Sequence, residues 1–210
     1  MAVTKTVFVC QQCGNKLPKW TGKCPACNSW NTYTEEIERK EKSSRPGNRP
    51  MNHIAEVQSI DTVSSDKTAR IITHSEEVNR VLGGGIVPGS VVLIGGEPGI
   101  GKSTLALQIA LQTKELKTLY VSGEESLQQI KLRANRTGLA NKNCLLLCET
   151  NREIIIEVIE NHQPDFVVID SIQTLYTEEI DSSPGSISQI RECATGLMQL
   201  AKRNAIPVFL

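Results

Sequence analysis

The chain has 210 residues, 39% of them apolar and 22% charged, a balance that suits one medium globular domain and a small appendage. No apolar run approaches the roughly 20 residues of a membrane span, and the opening MAVTKTVFVCQQC lacks the apolar stretch and small-residue cleavage site of a secretory signal, so a cytoplasmic protein with no membrane partner and no disulfide framework is expected. Basic and acidic residues balance at 23 each, but residues 1 to 53 hold nine basic and four acidic side chains, against fourteen and nineteen in residues 54 to 210; two parts of opposite electrostatic character follow.

The first motif is Cys10-x2-Cys13-x10-Cys24-x2-Cys27. Two residues between cysteines let both thiolates of a pair face one ion, and two such pairs supply the four tetrahedral ligands of Zn²⁺. Gly14 and Asn28 follow the two pairs, and both residue types tolerate the positive φ that a chain curling around a metal requires. A segment this short buries too little apolar surface to fold unaided, which a metal remedies. The expectation is a zinc ribbon over residues 1–34. Two disulfides or a redox dithiol are the alternatives, and the missing export signal disfavours both. Trp20 and Trp30 flank the second pair. They are expected to shield the metal as a miniature core, with stacking on a nucleobase as the alternative. Cys144, Cys148 and Cys193 are expected to be small buried hydrophobes.

Residues 35–53, EEIERKEKSSRPGNRPMNH without its last boundary sharply marked, are charged, contain Pro46, Gly47 and Pro50, and have almost no apolar residue. They predict a flexible tether, whose basic stretch Lys40 to Arg49 is solvated or brushes nucleic acid. Beyond it, a strand is predicted at Ala69 to Thr73. A short helix is predicted at Ser75 to Leu82, ended by Gly83-Gly84-Gly85.

Val91 to Ile94 are four consecutive apolar residues and predict a strand buried on both faces. The strand runs into Gly96-Glu97-Pro98-Gly99-Ile100-Gly101-Lys102-Ser103, a full match to G-x-x-x-x-G-K-[ST], followed by Thr104. Residues 96 to 104 are therefore the expected ATP-binding segment. The glycines let backbone N–H groups converge on phosphate oxygens, Lys102 sets a positive charge by the β- and γ-phosphates, and the Ser103 hydroxyl can ligate Mg²⁺. A helix over Lys102 to Thr113 presents an N-terminus that favours anions.

A strand at Thr118 to Val121 leads into Ser122-Gly123-Glu124-Glu125-Ser126. Carboxylates at the C-terminal end of a parallel strand lie on the ligand edge of an α/β sheet. One is expected to act as general base on water and the other to complement the next helix, Ser126 to Arg136, with Glu124 the catalytic one. Further elements are a strand at Cys144 to Leu147, a helix at Arg152 to His162, a strand at Phe166 to Ile169, a helix at Ser186 to Asn204 and a strand at Val208 to Leu210. The apolar run Phe166-Val-Val-Ile ends in Asp170, the Walker B form, with Asp170 placed to hold Mg²⁺. The alternation of strand and helix predicts an α/β fold with a mainly parallel sheet covered on both faces.

The combination resembles the bacterial RadA/Sms family, RecA-like ATPases of DNA recombination and repair. It rests on CQQCG at 10 to 14, WTGKCPACNSWNT at 20 to 32, LGGGIVPGSVVLIGGEPGIGKSTL at 82 to 105, YVSGEES at 120 to 126 and VVIDSIQTL at 167 to 175. The resemblance implies a RecA-like P-loop NTPase core over 54–210 and DNA-stimulated ATP hydrolysis in the processing of branched recombination intermediates. DNA, a ring of like subunits and recombination proteins are the implied partners, and Glu124 is the residue at the position of the RecA-like catalytic glutamate. It further implies that the last strand lies between the P-loop and Walker B strands, and that residues 177–185 face DNA, although those nine contain three acids and no base. Family members continue past this length with a Lys-Asn-Arg-Phe-Gly motif and a Lon-protease-like domain. The expectation is thus an N-terminal piece, cut within a central strand and deficient in turnover on its own. A competing reading is an ATP-switched assembly protein resembling the circadian-clock RecA-like ATPases, without DNA motor activity. A third is a ribbon serving only as an interaction module.

Overall fold

The computed structural model describes residues 4–39, 59–62 and 70–210, which fall into an N-terminal unit and a larger C-terminal unit. In the first, β1 (Thr4–Cys10) pairs antiparallel with β2 (Lys16–Leu17) on one side and β3 (Tyr33–Arg39) on the other. Val7, Val9 and Tyr33 are buried, and Tyr33 stands directly across from Cys10 in the register. The strand carries on through residues 35–39, which composition alone assigns to the tether. The seven-residue edge of β1 offers pairing from Thr4↔Arg39 to Cys10↔Tyr33, and a ladder of that length overrides low apolar content. The rest of the expected tether, residues 40–53, lies outside the described residues.

The C-terminal unit is built on a five-stranded, wholly parallel sheet. Its strands are β4 (Val91–Val92), β5 (Thr118–Ser122), β6 (Cys144–Cys148), β7 (Phe166–Asp170) and β8 (Val208–Phe209), in the order β4-β8-β7-β5-β6. The last strand thus sits between the P-loop strand and the strand ending at Asp170, as the resemblance implied. Among the described residues five α-helices accompany it: α1 (Glu76–Val81), α2 (Lys102–Gln112), α3 (Leu127–Thr137), α4 (Arg152–His162) and α5 (Ile187–Asn204). The period-2 alternation of the strands divides the core in two. Tyr120, Phe166, Val168 and Phe209 face Leu107, Ile109 and Ala110 of α2 and Ile130 of α3, with Phe166 and Phe209 packed edge to face at 5.1 Å. Leu119, Val121, Val167, Ile169 and Val208 face Ile155 and Ile159 of α4 and Leu197 and Leu200 of α5.

Three elements differ from expectation. The strand at β4 is two residues long and half-buried, and Leu93 is exposed. Among the described strands β4 pairs only with β8, so it is an edge rather than a doubly covered strand. Residues 70–73 form a single bridge, Ile71 to Ile86, rather than a strand, and Ala69 lies outside the described residues. The Asn79 side chain accepts from the Thr73 amide at 2.9 Å and donates to its carbonyl at 2.7 Å, diverting the backbone into α1 instead of a ladder. Cys193 is fully buried, but Cys144 is only half-buried and Cys148 is exposed at the end of edge strand β6, donating to the Glu125 carbonyl at 3.2 Å.

Side-chain caps start four of the helices: Ser75, Ser126, Asn151 and Ser186 each accept from an amide in the first turn, an interaction worth about 1 kcal/mol each. The residue after Asn151, Arg152, is buried with its guanidinium against Glu153 and Glu179 at 2.7 Å and Glu192 at 3.6 Å. Thr177 donates to Glu153 at 2.6 Å and exchanges backbone-to-amide bonds with Gln189, so the start of segment 177–185 is pinned to α4 and α5. Gly196 lets Arg152 lie close to α5, since a Cβ there would sit 3.0 Å from Arg152 Cδ. Arg152→Met should lower stability by about 2–3 kcal/mol in urea unfolding. It leaves three carboxylates facing one another, discounted because they are partly solvated.

Candidate functional site

The P-loop spans the turn from β4 into α2. Gly99 and Gly101 have φ of +80° and +101°, a region closed to most side chains. Among the five helices α2 alone begins without a side-chain cap, leaving its first amides open toward an anion. Lys102 Nζ donates to the carbonyls of Gly96 and Glu97 at 2.8 and 2.9 Å, so its charge lies across the loop.

Ser103 and Asp170 are 67 residues apart and meet: the Ser103 hydroxyl donates to Asp170 Oδ1 at 2.8 Å. The other oxygen accepts from the Tyr120 hydroxyl at 2.5 Å and from Arg133 at 3.4 Å. Burial and the adjacent Asp170 carboxylate push the Tyr120 hydroxyl well above its ordinary range, so it stays protonated and donates. Arg133 also donates to the Tyr120 oxygen at 2.9 Å and pairs with Glu125 at 2.5 Å.

The two glutamates after β5 therefore differ. Glu125 is engaged by Arg133 and does not serve the helix N-terminus, where Ser126 and Gln129 form a capping box. Glu124 is exposed and accepts from the Ser171 hydroxyl at 2.8 Å, which sets it beside the strand end that carries Asp170. Gly123 makes this approach possible. A Cβ there would lie 2.0 Å from Thr174 Oγ1 and 2.9 Å from Thr150 Cγ2. Gly123→Ala should lower the melting temperature by several degrees and displace Glu124, and Thr174→Gly in the same chain should recover part of the stability.

Sequence reasoning missed Tyr120, Arg133 and Ser171. Tyr120 sits inside an apolar strand and Arg133 in a polar helix, and neither position carries a local signal, because what joins them is the packing of α3 over β5. A larger open cleft, of about 830 Å³, is lined by Ile71, Pro164, Asp165 and Pro207. It lies at the opposite end of the strands and contains none of these groups.

In the N-terminal unit the four sulfurs of Cys10, Cys13, Cys24 and Cys27 all lie within 4.8 Å of one another. Cys10–Cys27 and Cys13–Cys24 are 3.7 and 3.6 Å apart. A tetrahedron with metal–sulfur bonds of about 2.3 Å has edges of about 3.8 Å, whereas a disulfide needs about 2.05 Å, so the residues fit a metal. Each pair turns the same way: the Gly14 amide donates to Cys10 O at 2.7 Å and the Asn28 amide to Cys24 O at 2.9 Å, with φ of +70° and +62°. Burial pushes the Cys24 thiol up, but the Tyr33 hydroxyl and the amides of Cys27 and Ala26 draw it down to about 6. The Asn15 amide favours the Cys13 thiolate, yet burial and the other three sulfurs push that thiol up to about 12. Four thiolates this close require a cation to coexist.

The tryptophans do not shield this cluster. Trp20 is 55% and Trp30 68% exposed; Tyr33, with Phe8 and Leu17, packs against the cysteines instead.

Residues 58–210 match the AAA domain family, and residues 8–35 match a rubredoxin metal binding domain. The chain belongs to the AAA domain family. Within that setting, the AAA domain and its ribbon are together 48% identical over 214 residues to the DNA repair protein RadA of Bacillus subtilis, covering all of this chain and 47% of that protein. They are 49% identical over 213 residues to RadA of Halalkalibacterium halodurans, with the same two coverages. RadA of Listeria monocytogenes is 49% identical over 210 residues, covering 98% of this chain and 45% of that one. The chain spans about half the length of the curated relatives it matches, and the resemblance to the RadA/Sms family is borne out. Among solved structures, a RadB recombinase is similar at 27% identity and a TM-score of 0.50, over 67% of this chain and 68% of that one. The α/β reading with a parallel sheet and a four-cysteine ribbon holds. No helix among the described residues is long and apolar enough to cross a membrane.

Proposed function

We propose that residues 54–210 are the RecA-like nucleotide-binding core of a cytoplasmic DNA-dependent ATPase of recombination and repair, and that the N-terminal residues through the end of β3 at Arg39, joined to it by the polar stretch 40–53, are a Zn²⁺ ribbon held by Cys10, Cys13, Cys24 and Cys27. The observation that carries the ATPase reading is the hydrogen bond between Ser103 and Asp170, which joins the P-loop to the Walker B strand beside Glu124. ATP lies along Gly96, Glu97, Pro98, Gly99, Ile100, Gly101, Lys102, Ser103 and Thr104, with amides of the loop and of the first turn of α2 on its phosphates. Lys102 exchanges its two carbonyl partners for phosphate oxygens. Ser103 and Asp170 would hold Mg²⁺, which when bound neutralises charge on the β- and γ-phosphates. Tyr120 and Arg133 orient Asp170. Glu124 takes the proton of the attacking water, a role for which Glu125 is less suited because Arg133 engages it.

The names of the similar proteins, RadA repair proteins and a RadB recombinase, support a substrate of single-stranded or branched DNA, and a ring of like subunits follows from the RecA-like resemblance. The test is ATP turnover by the intact protein with and without single-stranded DNA. Stimulation by DNA is expected. Turnover or ATP-dependent assembly indifferent to DNA would favour the nucleotide-switched alternative.

A further inference from the structure

We propose that Trp20 and Trp30 of the ribbon form a stacking platform for two bases of a single-stranded nucleic acid. The tryptophans have no structural duty toward the metal, since Tyr33 fills that place and both indoles are more than half exposed. They nevertheless stand together. A Cβ at Gly22 would lie 3.7 Å from Trp20 Cη2 and 3.9 Å from Trp30 Cζ3, so the missing side chain leaves a gap between two rings. The gap is held by backbone: Lys23 and Trp30 form an antiparallel bridge, and the Asn31 amide donates to the Gly22 carbonyl at 2.8 Å. A backbone ordered in this way loses little conformational entropy on binding.

The charge around them selects the ligand. Residues 1 to 34 contain Lys5, Lys16, Lys19 and Lys23 and no aspartate or glutamate; the acids of the unit, Glu35, Glu36 and Glu38, are all on β3. Lys23 Nζ lies 5.7 Å from the Trp30 ring centroid, setting a cation beside one of the stacking surfaces. A Zn²⁺ tetrathiolate carries two net negative charges, but two of its sulfurs, those of Cys10 and Cys24, belong to fully buried residues, while Lys16, Lys19 and Lys23 are exposed. Among the described residues of the ribbon the two tryptophans are the only exposed large apolar side chains. A protein-docking face would add aliphatic neighbours to its aromatics. Exposed aromatic faces with exposed Lys19 and Lys23 close by in the chain, one of them beside the Trp30 ring, suit bases joined by phosphates. Duplex DNA keeps its base faces stacked inside, so the ligand is a single strand.

The platform deepens the DNA reading, and it can be read apart from ATP turnover. Both tryptophans of the chain are in the ribbon, so intrinsic tryptophan emission reports on this face alone. Titrating the zinc-loaded chain with oligothymidylate of about 12 nucleotides should quench that emission saturably, and salt should weaken the effect. Trp20→Ala and Trp30→Ala should each weaken binding of a labelled oligonucleotide by roughly 5-fold to 100-fold in anisotropy, with Phe at either position recovering much of the loss. Gly22→Leu, whose φ needs no glycine, should fill the gap and remove the quench while both rings and the bound zinc remain. Zinc content measured on every variant separates lost stacking from a lost fold. Unchanged affinity in the zinc-replete Ala variants, or a duplex bound as tightly as the single strand, would overturn the proposal. So would loss of a protein partner in the Ala variants with DNA affinity intact. A quench without DNA-stimulated turnover keeps the platform and removes the proposed function; DNA-stimulated turnover without a quench does the reverse.

Discussion

Glu124→Gln should leave ATP affinity within about twofold of the parent and lower turnover by about 10²- to 10⁴-fold, the range in which a positioned general base contributes. The amide is nearly isosteric, and its oxygen can still accept from the Ser171 hydroxyl that holds the carboxylate at 2.8 Å. What it loses is the ability to take a proton. Lys102→Ala should behave differently and remove most of the affinity, because the charge now lying across Gly96 and Glu97 is the one that, in the proposed function, meets the phosphates. Glu125→Gln sits between these cases. It weakens the ion pair with Arg133, a group that also reaches Asp170, so a moderate loss of turnover with a raised Mg²⁺ requirement is expected. Measured side by side in the intact protein, ATP binding and phosphate release sort the three. Abolished turnover in Glu125→Gln with near-normal turnover in Glu124→Gln would reverse the assignment.

Local signals carried most of the architecture. The α4 helix begins and ends where its sequence predicts, because Asn151 caps it and its apolar residues recur at helical spacing. Likewise Gly14 and Asn28 take the positive φ that their position after each cysteine pair implies. Apart from residues 70–73, which the nearby Asn79 side chain diverts, the misreadings share one cause, since each depends on a partner far away in the chain. Four apolar residues at 91–94 look the same whether a strand is central or at an edge; pairing decides. The register that brings Tyr33 opposite Cys10 decides which aromatic covers the cysteines, and it expels the tryptophans. In the candidate nucleotide site the P-loop, Asp170 and Glu124 were legible as motifs. The Tyr120–Arg133–Asp170 arrangement was not, because a tyrosine in a strand and an arginine in a helix become partners only when α3 packs on the sheet.

Cys13→Ser should abolish stoichiometric zinc binding and unfold the ribbon, while nucleotide binding by the AAA domain survives. The ribbon's own apolar resources are small: Val7, Val9 and Tyr33 are buried beside Cys10 and Cys24, with Phe8 and Leu17 partly covered. Segments of this size are marginal without a staple, whereas a structural Zn²⁺ site supplies roughly 10–16 kcal/mol of apparent binding free energy near neutral pH. Cys13 is the informative position because it is only half-buried. A serine there adds little buried polarity, so the loss reports on the missing thiolate rather than on a damaged core. Removing one of four ligands also leaves the Cys10, Cys24 and Cys27 sulfurs crowded within 4.8 Å of one another. The effect should stay local because the sequence between the units, from Lys40 to His53, is nearly free of apolar residues and cannot couple them through a shared core. Metal content, limited proteolysis of residues 4–39 and nucleotide affinity measured on one preparation give the three readouts. Protein purified without chelator and found free of metal would refute the ribbon reading, as would a Cys13→Ser chain whose N-terminal unit resists protease as well as the parent's.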